Sequence, residues 1–247
     1  KKPILINHLK AIINAIDKIS NTPLHNAAQY GYIDIIQLLV ENGADVNVRN
    51  NDDNWTPLHN AVAGGQSEVV IFLIDKGSEI NAKSIKDETA LHFAALYGHK
   101  YITDLLLTKG ADIEAKNLGG LTPLHAASSK GALSVFEELL AQGANIEATT
   151  TSGRNAFHLA ALYGHTEIVR FLIRRGIDLN AKDKDGLTAI DLAASENHQN
   201  VIDVITEEAK APTIIQQPKD LIVTIGESAE FTVAATGPGR LNFQWFK

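Results

Sequence analysis

An all-α solenoid of helix–turn–helix–hairpin units, closed by a short and incomplete β segment, is the fold class this sequence predicts. Three observations predict it. A four-residue motif recurs at near-constant spacing. An alanine and two glycines keep phase with it. Near residue 209 the pattern gives way to proline-containing, β-branched sequence. The motif is Thr-Pro-Leu-His at Thr22, Thr56 and Thr122, with variants beginning at Thr89, Asn155 and Thr188, so successive copies lie 34, 33, 33, 33 and 33 residues apart. Regular self-similarity with a period of this size is the signature of a stacked array, in which each unit buries its apolar face against its neighbours.

Each part of the unit has a physical reason. Threonine caps helix N-termini, and proline suits the first helical turn because its missing N–H would be unpaired there anyway. The alanine five positions on (Ala27, Ala61, Ala94, Ala127, Ala160, Ala193) lets two helices approach closely. A first glycine (Gly31, Gly65, Gly98, Gly131, Gly164) ends the first helix. An apolar pair (Leu38-Leu39, Leu73-Ile74, Leu106-Leu107, Leu139-Leu140, Leu172-Ile173) marks the second helix, whose buried stripe is expected through Ile35, Leu38 and Leu39 in the first copy. A second glycine (Gly43, Gly77, Gly110, Gly143, Gly176) ends that helix, and a short extended stretch and polar turn follow.

Composition narrows the function. The 247 residues are 45% apolar and 21% charged, ordinary for a globular chain, and the net charge is −7. A mildly acidic chain is a poor whole-surface ligand for nucleic acid or anionic membrane. Apolar runs are too short to span a bilayer. There is no cysteine, which removes disulfides, thiolate zinc sites and cysteine nucleophiles. Methionine is absent even at position 1, so the chain reads as a fragment or processed piece.

The period and the Thr-Pro-Leu-His signature resemble the ankyrin repeat over roughly Lys1 to Ala209. Read in that frame, residues 1–19 are a partial repeat and full repeats start near 20, 54, 87, 120, 153 and 186. The last has Asp191 in place of histidine and Asn197 in place of the first glycine, and its second helix ends in polar residues, as suits a terminal cap with a solvated face. One extra residue falls in the first hairpin, within Arg49–Asn54, where a loop tip tolerates it.

Residues 210–247 read as a linker and a partial domain. Strands are expected over Leu221–Ile225, Phe231–Ala235 and Asn242–Phe246, with a turn at Thr236–Gly239. From Pro218 to Lys247 the string resembles the opening of an immunoglobulin-like domain, with Trp245 as its strand-C tryptophan and Val233 near the place of the strand-B cysteine. A complete sandwich needs about 100 residues, so this piece is expected to be poorly ordered or to lean on the array.

Reactive chemistry is not visible. P-loop, G-x-G-x-x-G, G-x-S-x-G and H-E-x-x-H motifs are all missing. Asp183–Gly186 has the composition of a calcium loop but the wrong register, and reads as a turn. Of nine histidines, five (His25, His59, His92, His125, His158) are the motif histidine. The resemblance implies that this imidazole bonds backbone between adjacent hairpins rather than a metal. Asn54-Trp55-Thr56 is a glycosylation sequon, but Thr56 is needed as a cap. Asn47, Asn81 and Asn180 fit an asparagine-hydroxylation pattern known in animal ankyrin repeats, and equally fit ordinary consensus. The expectation is therefore a non-enzyme with neither cofactor nor metal.

The resemblance implies that a protein partner is held on the concave face, at hairpin tips and the ends of first helices. By offset, the residues expected to carry binding are Tyr30, Trp55, Tyr97, Leu121, Lys130, Arg154, Tyr163 and Leu187. Aromatic and arginine side chains dominate interface energetics. Leu118 also falls on a tip. The array is expected to be a monomeric protein-interaction scaffold binding neither nucleic acid nor membrane. The alternatives are the docking arm of a larger enzyme, or a secreted or host-directed effector. A cytoplasmic location is favoured, with secretion from a bacterium as its rival.

Overall fold

Six N-capping residues set the register of the whole array. The computed structural model describes residues 12–209 and two short segments, 213–216 and 234–236. Among the described residues, twelve helices alternate in pairs. The first helices of the repeats are α1 (Pro23–Tyr30), α3 (Pro57–Ala63), α5 (Ala90–Tyr97), α7 (Pro123–Lys130), α9 (Ala156–Leu162) and α11 (Ala189–Ser195). The second helices are α2 (Ile33–Glu41), α4 (Ser67–Asp75), α6 (Lys100–Thr108), α8 (Leu133–Ala141), α10 (Thr166–Arg174) and α12 (Gln199–Ala209). Thr22, Thr56, Thr89, Thr122, Asn155 and Thr188 precede the first helices in extended conformation.

The core is a continuous layer between stacked helix pairs. Leu24, Leu58, Leu91, Leu124 and Phe157 enter it from the first helices, and Ile36, Leu73, Leu106, Leu139 and Leu172 from the second, all essentially inaccessible. The phase alanines Ala27, Ala61, Ala94, Ala127, Ala160 and Ala193 are buried throughout, where a larger side chain would push helices apart. No helix among the described residues is long and apolar enough to cross a membrane.

Two expectations need correction. In α2 the buried residue is Ile36, while Ile35 is 48% and Leu38 61% exposed. The structural equivalent of Leu73 is Leu39, so the apolar pair of the first repeat is Leu39-Val40, both half-buried against the core. The Ile35 counterpart, Val69, is 1% exposed because the repeat before it covers that side.

The second correction concerns the tail. Beyond 209 the structure describes one antiparallel pair, β1 (Thr213–Gln216) with β2 (Ala234–Thr236), irregular between Ile214 and Gln216. Ala235 lies in a strand as expected, and Thr236 ends that strand where a turn was expected to open. Val233, Trp245 and the strands expected over 221–225 and 242–246 lie outside the described residues.

Glycine is required where the first helix turns into the second. Gly131 has φ +71°, and a Cβ there would fall 2.5 Å from the ring of His165 in the next repeat. His99 covers Gly65 and His198 covers Gly164 in the same way. These histidines are therefore packing pieces that close the turn of the preceding repeat. Asn197 takes the glycine position of the last repeat with φ +60°, a conformation asparagine tolerates better than most residues.

Candidate functional site

The motif histidine works in two directions. In the first repeat the Thr22 N–H donates to His25 Nδ1 at 3.2 Å. An Nδ1 that accepts an N–H carries no hydrogen, so in the neutral ring the proton sits on Nε2. Nε2 then donates forward to the Trp55 carbonyl in the next hairpin, at 3.0 Å. The pattern repeats in His92, which reaches the Leu121 carbonyl at 2.9 Å, and in His125, which reaches Ala148 at 3.0 Å; His158 Nε2 lies 3.1 Å from the Ala181 carbonyl, but its Nδ1 also sits 2.6 Å from Asn155 Oδ1. Two carbonyls can thus receive the proton, one just before the next motif and one seven residues before it. His59 falls between its two choices, Glu88 and Ala82, and its Nε2 has no hydrogen-bond partner among the described residues. Burial holds all five imidazoles below the ordinary value of 6.5, His59 and His125 at about 4, so they are neutral at pH 7. His25, His92, His125 and His158 join adjacent hairpins.

The hairpin tips form a ladder of their own. Ile85 N–H donates to the Asp53 carbonyl, Leu118 N–H to Lys86, Thr151 N–H to Gly119 and Lys184 N–H to Ser152, at 2.8 to 3.0 Å. Lower down, Asn47 bonds both Gly77 and Glu79 of the next repeat, and Asn81 bonds Gly110 and Asp112. These side-chain amides are spent on backbone. So is the sequon residue Asn54, whose amide donates to the Lys83 carbonyl at 3.1 Å. The result is a fixed edge from which side chains project without the entropy cost of a mobile loop.

Exposure sorts the residues expected to bind a partner. Tyr30 is 64% exposed, and Tyr97 and Tyr163 are each 52%. Lys130 and Leu187 are exposed as well, and so are Ile85 and Leu118 on neighbouring tips. Trp55 is half-buried, its ring 4.6 Å from that of Phe93 and stacked near His59. Leu121 is half-buried and supplies the carbonyl that His92 binds. Arg154 donates from Nε to Asp183 Oδ2 at 3.0 Å, and that carboxylate is fully covered. Burial opposes Asp183 ionisation, but the Leu187 N–H, Arg154 and the Asp185 N–H outweigh it and hold its pKa below the usual carboxylate value. Position in the repeat located these residues; it did not reveal that Trp55 and Arg154 are tied to their neighbours. Sequence reasoning missed the cleft between the first two repeats, about 380 Å³, lined by Tyr30, Asp52, Asp53, Trp55 and five amide side chains. Its only sequence signal was the extra residue in that hairpin. Among the described residues no three His, Asp or Glu side chains converge as metal ligands would.

Comparison with known proteins agrees with this geometry. A family model described as ankyrin repeats in three copies matches residues 3–84, 83–150 and 124–215. The chain belongs to the ankyrin-repeat family. It is similar to an ankyrin repeat-containing protein of Schizosaccharomyces pombe, 42% identical over 54 residues, which is 21% of this chain and 26% of that protein. A putative ankyrin repeat protein of fowlpox virus is 51% identical over 53 residues, 20% of this chain and 10% of the viral protein. A probable E3 ubiquitin-protein ligase of Oryza sativa is 67% identical over 30 residues, 12% of this chain and 6% of the ligase. The matches span about a quarter or less of these curated relatives. Ankyrin repeats are protein–protein interaction modules, and that coarse function holds for this array.

Proposed function

We propose that this ankyrin array is a scaffold that holds one partner protein across the edge formed by its hairpin tips and first-helix ends. The observation that carries the reading is the row of exposed side chains at one position per repeat, Tyr30, Tyr97, Lys130 and Tyr163, mounted beside the hydrogen-bonded tip ladder. Exposed tyrosines on a rigid support are strong interface anchors. Exposed Ile85 and Leu118, on adjacent tips, add apolar contact. The array works as a monomer in this reading, without cofactor or chemistry of its own, and a cytoplasmic location suits a chain without cysteine.

The test is affinity capture with the full 247-residue chain, with the bound proteins identified by mass spectrometry. Tyr97→Ala with Tyr163→Ala is expected to weaken capture at least tenfold with an unchanged melting temperature. Loss of the melting transition with affinity retained would make these tyrosines structural and end the proposal.

A second reading is the docking arm of a larger enzyme, favoured by the similarity to a protein named as a probable ubiquitin ligase. We retain residues 210–247 as the opening of an immunoglobulin-like domain, supported by the alternating apolar pattern before Ala235 and by Trp245. Sequence beyond Lys247 supplying the remaining strands would bear this out, and a chain that stops there would refute it.

A further inference from the structure

We infer that the cleft between the first and second repeats is a pocket for an arginine side chain of a bound protein. The inference rests on the scaffold reading and names what one subsite of it takes. Tyr30 and Trp55 contribute rings, Asp52 and Asp53 form the tip, and Asn26 and Asn60 project from α1 and α3. No lysine, arginine or histidine lines it among the described residues.

One polar atom in this cleft is unsatisfied. Asn60 is 5% exposed, its Nδ2 donates to Gln29 Oε1 at 3.2 Å, and its Oδ1 has no hydrogen-bond partner among the described residues. A buried acceptor without a donor is destabilising unless a ligand supplies one. Asn21, Asn26 and Asn50 are already committed, in a chain whose direction is fixed at both ends. Trp55 N–H donates to Asn50 Oδ1 at 2.8 Å, Asn50 Nδ2 to Asn21 Oδ1 at 2.9 Å, Asn21 Nδ2 to Asn26 Oδ1 at 3.4 Å, and Asn26 Nδ2 to the Asp17 carboxylate at 2.9 Å. The acceptors left without a full set of donors are Asn60 Oδ1 and the carboxylates of Asp52 and Asp53. Asp52 takes one hydroxyl hydrogen bond, from Ser20 at 3.3 Å, and neither aspartate is in an ion pair among the described residues.

A site of separated acceptors, two negative charges and aromatic rings selects its ligand. Anions are repelled. A neutral amide brings two donors and no charge. An ammonium is compact and strongly hydrated, with its three donors at one point. A guanidinium brings five donors in a planar fork, sheds water more easily, and stacks on aromatic rings. The sequence places this chemistry at one tip. The equivalent pairs elsewhere are Ile85-Lys86, Leu118-Gly119, Thr151-Ser152 and Lys184-Asp185, and only the hairpin with the extra residue carries an acid at both of these positions.

The test titrates the full ¹⁵N-labelled chain with a short unstructured peptide bearing one central arginine between glycines and serines. Saturable shifts are expected at the Trp55 indole N–H and the Asn60 side-chain amide. The same peptide with citrulline, which keeps the shape and removes the charge, should bind at least tenfold more weakly, and the lysine version more weakly than the arginine one. Asp52→Asn with Asp53→Asn, both exposed, should cost the arginine peptide at least tenfold in affinity without altering the melting temperature. Equal binding of the arginine and citrulline peptides, or no shift at Trp55 and Asn60 at millimolar peptide, would overturn the pocket. A captured protein that binds the wild-type and doubly substituted chains equally would overturn it too, while leaving the scaffold reading intact.

Discussion

The interior repeats and the last described repeat use the same backbone for different tasks. In repeats starting at Thr89, Thr122 and Asn155, the third helical residue is a histidine that caps its own helix and reaches the next hairpin. At Thr188 the residue is Asp191, exposed, with Oδ2 accepting from the Thr188 N–H at 2.9 Å and from its hydroxyl at 2.6 Å. The backward bond survives and the forward one is gone. The difference teaches that the motif histidine combines two separable functions, a cap within the repeat and a bridge between repeats. The same contrast appears at the turn, where Gly65, Gly131 and Gly164 sit under the next repeat's histidine and Asn197 occupies the end position.

Acid should expose the contrast most strongly. His59 and His125 have folded pKa values of about 4 against an ordinary 6.5, with burial as the leading cause. Between these values the unfolded chain binds protons that the folded chain refuses, so stability falls as pH drops. It is fully present above 6.5 and lost progressively down to about 4. Two and a half units correspond to about 3 kcal/mol for each of these two residues. His25, His92 and His158 shift in the same direction for the same leading reason. Chemical denaturation between pH 7.5 and 4.5 should therefore show a steep loss over that window. A flat profile would mean that these rings are not buried neutral.

Packing comes next in size. Leu106 and Leu139 are fully covered between repeats. Either one changed to alanine should cost roughly 2–5 kcal/mol by leaving a cavity. Ile202, half-buried on α12, should cost clearly less on the same change. Equal losses would show that the end repeat is packed as tightly as the interior. Cooperativity is itself informative here, because an array can lose its end before its middle.

The fold was legible in the sequence because each repeat poses the same local problem and solves it with the same residue types. Thr22 and its counterparts, the phase alanines and the turn glycines were placed by offset alone. The stripe on α2 was misplaced because leucines at 38 and 39 satisfy a helical period equally well, and only the cover from adjacent repeats separates them. The binding surface was only partly legible. Offset placed Tyr30, Tyr97 and Tyr163 correctly on the exterior. It could not foresee that Trp55 leans on Phe93 or that Arg154 is paired with Asp183, since each depends on a side chain in the next repeat. The cleft between the first two repeats required the tertiary arrangement of five amides, which no spacing rule encodes.

Separating cap from bridge gives a smaller effect. His125→Asn retains a side-chain oxygen able to take the Thr122 N–H but is too short to reach the Ala148 carbonyl. The expected loss is about 1–3 kcal/mol, the cost of stranding a buried carbonyl. The variant should also lose part of the acid sensitivity between pH 6.5 and 4, which a loss of packing alone would leave in place.

The reverse change at the end of the array should matter least. Asp191→His keeps an acceptor for the Thr188 N–H, and no following repeat is described whose carbonyl its Nε2 could meet. What disappears is the negative charge near the start of α11, where Thr188 hydrogen bonds hold the Asp191 pKa below its ordinary value. Charge at a helix N-terminus is worth about 0.3–1 kcal/mol, so urea denaturation at pH 7 should register a loss under about 1 kcal/mol. If Asp191→His costs as much as His125→Asn, the forward bond to the next hairpin is not what the interior histidines contribute, and burial of the ring has to carry their effect instead.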